Sequence, residues 1–333
     1  MDYKKIIKKP ETRYKILSMF NWVPDETMIK LQYKIKLKRK LDLKNPRRFT
    51  EKLQWYKLKY RNPIMHQCVD KFDVRKYVEE KGLKEILNEV YGIYDNTNDI
   101  DFNKLPNKFV IKATNGGGGL NILICDNKER FDKEKSLKTM NEWLKFKQKK
   151  SLGREWAYEG NTNRIIIEKY LEGNDENLSG INDYKFLCYN GKVEYIVFDG
   201  DRYVKHKRNI YDKDWNYIDI KTDCAKLGDI IKKPENLSEM IDIAEKLSSE
   251  FPFVRVDLYS IYGKIIFGEL TFYPWSGYVQ FEPDEYDFIL GKNFKLKNNK
   301  KVEKWKRQLF YQRIMEVNIL LSKLNLFVCK LKM

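Results

Sequence analysis

The sequence predicts an α+β fold built of two or three packed lobes, with largely antiparallel sheets between helical ends. Three observations carry this. Short β-branched and aromatic runs recur from about residue 108 and fall in hairpin-like pairs broken by helices. Both ends read as helical and basic. The 333 residues are 42% hydrophobic and contain no Gly/Ser-rich or Pro-rich linker, so the lobes pack together.

Residues 1–95 read as a helical N-terminal region. The run from Ile29 to Lys40 is basic with apolar residues spaced through it, like a helix seated on a surface, and Asn45-Pro46 breaks it. A second helix covers Thr50–Lys59 with Thr50 as N-cap, and a third covers Val69 to Glu80 and stops near Gly82. Strands are expected in Phe109–Ala113, Leu120–Ile124, Arg164–Leu171, Tyr184–Tyr189, Val193–Phe198, Phe253–Leu258 and Lys264–Phe272. Helices are expected at about 134–149 and 237–250. These divide into lobes 96–175 and 176–290, followed by a C-terminal region 291–333. Its stretch 300–328 reads as a basic helix with a wide apolar face, which either docks on the protein's own core or meets a membrane surface.

The net charge of +17 favours polyanionic partners, unless the Lys-rich composition reflects only genome base bias. No apolar run reaches the roughly 18 residues that span a bilayer, and the N-terminus lacks a secretory core, so a cytoplasmic protein is expected. Five scattered cysteines read as free thiols, and two histidines argue against a zinc site or a histidine-based triad.

Two motifs carry chemistry. In Phe109-Val-Ile-Lys-Ala-Thr-Asn-Gly-Gly-Gly-Gly a strand bearing Lys112 runs into a loop, Gly116, Gly117, Gly118 and Gly119, and then into another strand. Glycine backbone can approach phosphate oxygens closely. The order strand, loop, strand fits a flap over a nucleotide's phosphates, or else a flexible hairpin tip. It fits neither a Walker loop nor a dinucleotide fingerprint.

The second motif pairs Phe253-Val-Arg-Val-Asp-Leu with Phe267-Gly-Glu-Leu-Thr-Phe across a turn near Gly263. Alternation puts Arg255 and Asp257 on one face, and a hairpin symmetric about Gly263 sets Asp257 opposite Glu269. Opposed carboxylates about 5 Å apart repel unless a cation lies between them, and oxygen ligands suit Mg²⁺. Arg255 on that face fits a stabiliser of developing negative charge. A salt-bridged surface hairpin with Arg255 and Lys264 is the plain alternative. Two weaker signals remain. The strand Ile165–Glu168 ends in a carboxylate that could sit at an adenine, or is an ordinary strand end. Lys205-His-Lys-Arg208-Asn either grips an anionic substrate through residues such as Arg208 or is a solvated loop.

The order of these pieces resembles the ATP-grasp superfamily. Asn45-Pro-Arg-Arg-Phe-Thr-Glu-Lys-Leu-Gln-Trp, Val69-Asp-Lys-Phe-Asp-Val-Arg, Phe186-Leu-Cys-Tyr-Asn-Gly-Lys, His206-Lys-Arg-Asn and Phe251-Pro-Phe-Val-Arg-Val-Asp-Leu-Tyr resemble its TupA-like branch over about residues 40–290. That branch is associated with teichuronopeptide and capsular polysaccharide synthesis. The resemblance implies two lobes clasping ATP and a carboxylate–amine ligase working through an acyl phosphate, with a glycosyltransferase of the same polymer and a basic scaffold as competing classes. It implies ATP and Mg²⁺ as cofactors, a small carboxylate and an amine or an anionic saccharide acceptor as substrates, and no nucleic acid. It implies that Lys71 and Lys112 are phosphate lysines, Glu168 and Leu171 adenine contacts, Asp183 the ribose carboxylate, Asp257 and Glu269 metal ligands, and Arg255 the arginine at the acyl phosphate. Thr271 departs from the family's Glu-x-Asn, leaving a third metal ligand in doubt.

Overall fold

A computed structural model describes residues 16–116, 121–146, 150–173, 181–200 and 207–296. Gly117, Gly118 and Gly119 of the loop, Lys205, His206 and the C-terminal stretch 300–328 lie outside the described residues.

Two antiparallel sheets form the frame, as the hairpin-like runs predict. The smaller holds β1 (Val90–Tyr94), β2 (Phe109–Ala113), β3 (Ile122–Cys125) and β4 (Ile165–Lys169) in the order β1-β4-β2-β3. The larger runs β11-β10-β5-β6-β7-β8. Its strands are β5 (Asp183–Tyr189), β6 (Lys192–Gly200), β7 (Lys207–Asp212), β8 (Tyr217–Ile218), β10 (Phe253–Ile261) and β11 (Lys264–Thr271). Among the described residues only β9 (Ala225–Lys226) is parallel to its neighbour, β7. The strand Val90–Tyr94 departs from the helical reading of residues 1–95. Its half-buried Val-Tyr-Gly-Ile-Tyr run pairs with β4, and tertiary pairing overrides local pattern there.

The helices are α1 (Asp25–Leu37), α2 (Phe49–Lys59), α3 (Ile64–Val69), α4 (Val74–Glu80), α5 (Lys133–Lys145), α6 (Leu237–Ser248) and α7 (Glu285–Asn293). Two expectations need correction. The segment Val69–Glu80 is not one helix. Asp70 takes extended backbone (φ −82, ψ 128), and its carboxylate accepts from the N–H groups of Phe72 and Asp73 at 2.9 and 3.0 Å, an Asx turn that interrupts the helix. Nor is Thr50 the N-cap of α2. That position is Arg48, and Thr50 lies inside the first turn. Thr50 instead gives its N–H and hydroxyl to Asp287 of α7, at 2.9 and 2.8 Å. A carboxylate 237 residues away thus satisfies an otherwise orphaned helix-end donor.

This bond brings α2 and α7 together over the large sheet. Phe49, Phe253, Phe294 and Tyr189 pack there with ring centroids 5.0 to 5.2 Å apart for the three closest pairs. The small sheet packs Phe109, Ile111, Ile165 and Ile167 against Met140 of α5. Among the described residues no helix is long and apolar enough to cross a membrane.

The β10–β11 hairpin has the register the site requires, by a different route from simple symmetry. Ile261 pairs with Lys264, and Tyr262 and Gly263 both have positive φ (49 and 77), a tight two-residue turn. Continued evenly, that register would set Asp257 against Gly268. A bulge between Asp257 and Leu258 shifts it, so that Asp257 faces Glu269. The extra residue is Gly268, where a Cβ would stand 3.0 Å from the Asp257 carbonyl oxygen and 3.3 Å from the Tyr259 ring.

Gly291 is where α7 meets the start of α2, since a Cβ there would lie 2.3 Å from Arg47 O and 2.7 Å from Phe49 N. Backbone atoms on both sides cannot yield cheaply. Gly291→Ala should lower the unfolding free energy by about 2–3 kcal/mol, read from urea titration. A loss below about 0.5 kcal/mol would show that the two helices separate freely.

Candidate active site

One face of the large sheet carries a row of charges, buried at Asp183, Lys185, Asp199, Arg208 and Asp257 and partly exposed at Glu269. Cross-strand pairing sets Glu269, Asp257 and Lys185 side by side on β11, β10 and β5. One pleat away it sets Asp183, Asp199 and Arg208 side by side on β5, β6 and β7. Because alternate residues share a face, Arg255 joins Asp257, and Asp183 joins Lys185.

Asp257, only 2% exposed, is the centre of this row. It accepts from Arg255 Nε and Nη2, each at 2.7 Å, and from Lys185 Nζ at 2.9 Å. Arg255 Nη2 also reaches Glu269 at 2.9 Å and Thr271 Oγ1 at 3.0 Å. Lys185 donates to Asp183 as well, and Asp199 lies 3.8 Å from it. Arg208 holds Asp199 through Nε at 2.6 Å and Nη2 at 3.1 Å, and Asp223 through Nη1 at 2.6 Å. Burial pushes the Asp257 carboxyl up against the pull of Arg255 and Lys185. For Glu269 burial acts in the same direction, but Arg255 and Lys71 outweigh it and hold the carboxyl low. Burial alone would lower the Arg255 guanidinium, yet Asp257 and Glu269 raise it.

Lys112 and Glu168 come from the small sheet, and Lys71 from the turn between α3 and α4. The Asx turn exposes the Lys71 N–H to Thr114 O, at 2.9 Å, and ties the turn to the end of β2. Lys71 Nζ reaches Gly116 O at 2.5 Å. Lys112 Nζ holds Glu168 at 2.6 Å across β2 and β4. Lys71, Gly116, Tyr158, Gly268 and Glu269 then line one small cleft of about 10 Å³, where the Asx turn and the end of β2 meet β11. Burial depresses the Lys71 amine, while Glu269 pulls it back up and Lys112 lowers it further.

Lys71, Gly116 and Glu269 therefore meet in space, Arg255 touches both expected metal ligands, and Asp183 reaches Asp257 through Lys185. Arg208 sits in a strand and is 6% exposed, so it is no solvated loop, and its fork is engaged with Asp199 and Asp223. Leu171 is half-buried two residues beyond β4, and no described contact brings it to the charged row. Lys185 and Asp199 were missed by sequence reading, although the Asp183-Tyr-Lys185 alternation signals the first.

Also missed is a buried cluster behind Tyr158. Lys57, with no exposed side-chain surface, donates to Gly153 O and Ser276 O at 2.8 Å each and to Ser276 Oγ at 3.2 Å, with Glu155 at 3.8 Å. Ser276 donates in turn to Glu155. Trp275 and Ser276 are both left-handed (φ 52 and 53), which costs on the order of 1–3 kcal/mol per residue. The cluster holds the loop after β11 in this conformation. No pattern in the α2 sequence marks Lys57 as different from its neighbours.

Could the residues hold a divalent cation? Among the described residues no group of three or more His, Cys, Asp or Glu side chains is placed to hold one. Two opposed carboxylates and the Thr271 hydroxyl are what the face offers, with a guanidinium now bridging them. That donor set fits Mg²⁺ held jointly by one or two carboxylates and nucleotide phosphates, not a dedicated protein cage.

A family model described as TupA-like ATPgrasp matches residues 51–295. No curated protein matches the chain. Among solved structures the chain is similar to D-alanine–D-alanine ligase from Bacillus anthracis, with 20% identity, 62% of this chain and 57% of that one covered, and a TM-score of 0.37. For the Helicobacter pylori D-alanine–D-alanine ligase the figures are 15%, 68%, 58% and 0.37. For N5-carboxyaminoimidazole synthetase from Staphylococcus aureus complexed with ADP they are 11%, 62%, 44% and 0.40. The chain thus spans little more than half the length of the ligases it matches.

Two outcomes follow from the site's geometry. Asp257→Asn leaves two buried cations short of their anion and should cost about 3–5 kcal/mol. Glu269→Gln, at a carboxylate 40% exposed, should cost about 1 kcal/mol or less. Chemical denaturation of both variants separates them, and equal losses would contradict the central place given to Asp257.

Burial lowers the Lys57 amine from the usual lysine value to about 7. In the unfolded chain the amine stays protonated up to about pH 10.4. Between these values the unfolded state binds the extra proton, so stability rises with pH across the window and is lowest below pH 7. The difference in unfolding free energy between wild type and Lys57→Met should therefore move in favour of wild type from pH 7 to pH 10. A flat difference would show that Lys57 keeps its charge throughout.

Proposed function

The chain belongs to the TupA-like ATP-grasp family, whose model spans residues 51–295, and on that premise we propose that it is an ADP-forming carboxylate–amine ligase. The observation that carries this reading is the cleft itself. Glu269, joined to Asp257 through Arg255, lines it together with Lys71 and Gly116, so the charged hairpin and the turn lysine border one space.

In this reading Lys71, Lys112 and the backbone at Gly116 hold the ATP phosphates. Glu168, Leu171 and Asp183 attend the nucleoside, with Asp183 set by Lys185. Asp257 and Glu269 would hold Mg²⁺, which when bound supplies positive charge to the phosphate oxygens. Arg255 stands where negative charge grows as the substrate carboxylate attacks the terminal phosphorus, and its fork can follow that charge without solvent reorganisation. The bond to ADP breaks as the carboxylate oxygen bonds to phosphorus; the amine then attacks the acyl carbon, gives up a proton to solvent, and phosphate leaves with the acyl oxygen. Arg208 is assigned to the acceptor end of the sheet, as a support of Asp199 more than as a free anion grip. We propose further that the carboxylate is a uronic acid or amino acid of a surface or capsular polysaccharide, such as a teichuronopeptide, and that the work is done in the cytoplasm at the inner face of the membrane, a reading the family context supports.

An acyl phosphate is a mixed anhydride, and hydroxylamine intercepts it. Uronic acids or amino acids with ATP, Mg²⁺ and hydroxylamine should give a hydroxamate and stoichiometric ADP. Arg255→Lys keeps the charge and loses the fork. It should lower turnover about 10²-fold while calorimetry shows ATP affinity little changed. Release of UDP from a nucleotide sugar, with no stabilisation by ATP, would instead establish a glycosyltransferase, and AMP with pyrophosphate would exclude the acyl-phosphate route.

A further inference from the structure

Half of the large apolar side chains that stand exposed among the described residues fall within one 20-residue stretch. Met19 is 73% exposed, Phe20 43%, Trp22 80%, Leu31 52% and Ile35 44%, and Ile16 adds a sixth. Helix α1 buries Met28, Ile29, Gln32, Tyr33 and Leu37 against the protein. Leu31 and Ile35 therefore form a second, outward row, one turn apart. Beside them stand the exposed Lys30 and Lys34, spaced by four, with Lys30 paired to Glu26, and the exposed Lys38 follows at the left-handed C-cap of the helix. From Thr27 to Leu41 the chain has six basic residues and no acidic one. The two acidic residues at the start of α1 are engaged with cations, Asp25 with Lys150 and Arg154, Glu26 with Lys30 and Lys59.

From this face we infer that the protein docks peripherally on an anionic lipid bilayer through residues 19–38. The two rows have the geometry of an interfacial helix. Leu31 and Ile35 enter the boundary of the acyl chains, and the lysine stems lie along them with their ammonium groups among the headgroup phosphates. An exposed tryptophan next to such a helix suits the headgroup level, where one side is apolar and the other wet. Charge selects this occupant. The chain's own residues 297–333 carry ten basic and two acidic residues, so they would meet the lysine row with like charge. The segment is fixed to the molecule, because Arg154 donates to Phe20 O at 2.8 Å from the loop that also carries Glu155. The inference does not depend on the ligase reading.

Full-length protein should co-sediment with vesicles of 30% phosphatidylglycerol in phosphatidylcholine, and not with pure phosphatidylcholine. Binding should fall steeply in 0.5 M NaCl, as screening shortens the reach of the lysines. Lys34→Gln/Lys38→Gln should lower the partition coefficient roughly 10-fold or more. Trp22→Ala/Leu31→Gln/Ile35→Gln should lower it at least as far. All five positions are exposed, so circular dichroism and melting should match wild type, and Ile230→Gln at another exposed site should bind normally. No binding to anionic vesicles, or binding that both variants retain in full, would overturn the inference. So would concentration-dependent self-association of the wild type that the apolar variant abolishes, since that would make the face a protein interface.

Discussion

Everything around the site depends on one buried anion. Asp257 lies between the Arg255 guanidinium and the Lys185 ammonium, and each of these reaches a further carboxylate. Removing such charges from water is expensive, and the cost is offset only where every partner is held in good geometry. The strands therefore have little freedom to slip. A shift of one residue on β10 would place Val256 and Leu258 among the charges and Asp257 in the apolar core. The bulge at Gly268 and the left-handed turn at Tyr262–Gly263 serve this constraint, because together they set Asp257 against Glu269.

The same logic explains how the sheets share a cleft. Asp70 stops a helix that local sequence would continue, and that break lets Lys71 bond to the end of β2 with its backbone and to Gly116 with its side chain. Arg164, beside β4, holds Asp70 at 3.0 Å and Asp73 at 2.8 Å, so the turn is fastened to the small sheet. On the other side Lys57 ties the loop at Gly153 and the strained Trp275–Ser276 pair to α2. Strain kept next to a cleft and compensated elsewhere is common where a loop must present groups in a set position.

The charged row also links regions that family motifs treat separately. Arg208 supports Asp199, Asp199 lies near Lys185, and Lys185 joins Asp183 to Asp257. The row thus couples the nucleoside end of the proposed site to Arg208 on β7, whose guanidinium also lies 5.2 Å from the Trp275 ring. Change at one end is expected to be felt at the other, because members of a shared buried network do not act independently.

Much was legible from local pattern. Strand alternation placed Arg255 and Asp257 on one face, and short hairpin-like runs predicted antiparallel sheets. These features follow from periodicity and from backbone freedom that neighbouring residues determine. Other features could not be read that way. The strand at Val90–Tyr94 exists because β4 pairs with it, and Thr50 is satisfied by Asp287 from the far end of the fold. Lys57 is buried among carbonyls that belong to two distant loops. The facing of Asp257 and Glu269 was inferred from symmetry but is produced by a bulge that compensates for the offset of the turn. The sequence by itself determined which chemistry each segment can offer. Tertiary structure decided which groups meet, because a buried charge takes its partners from whatever the fold brings within about 3 Å, however distant in the chain.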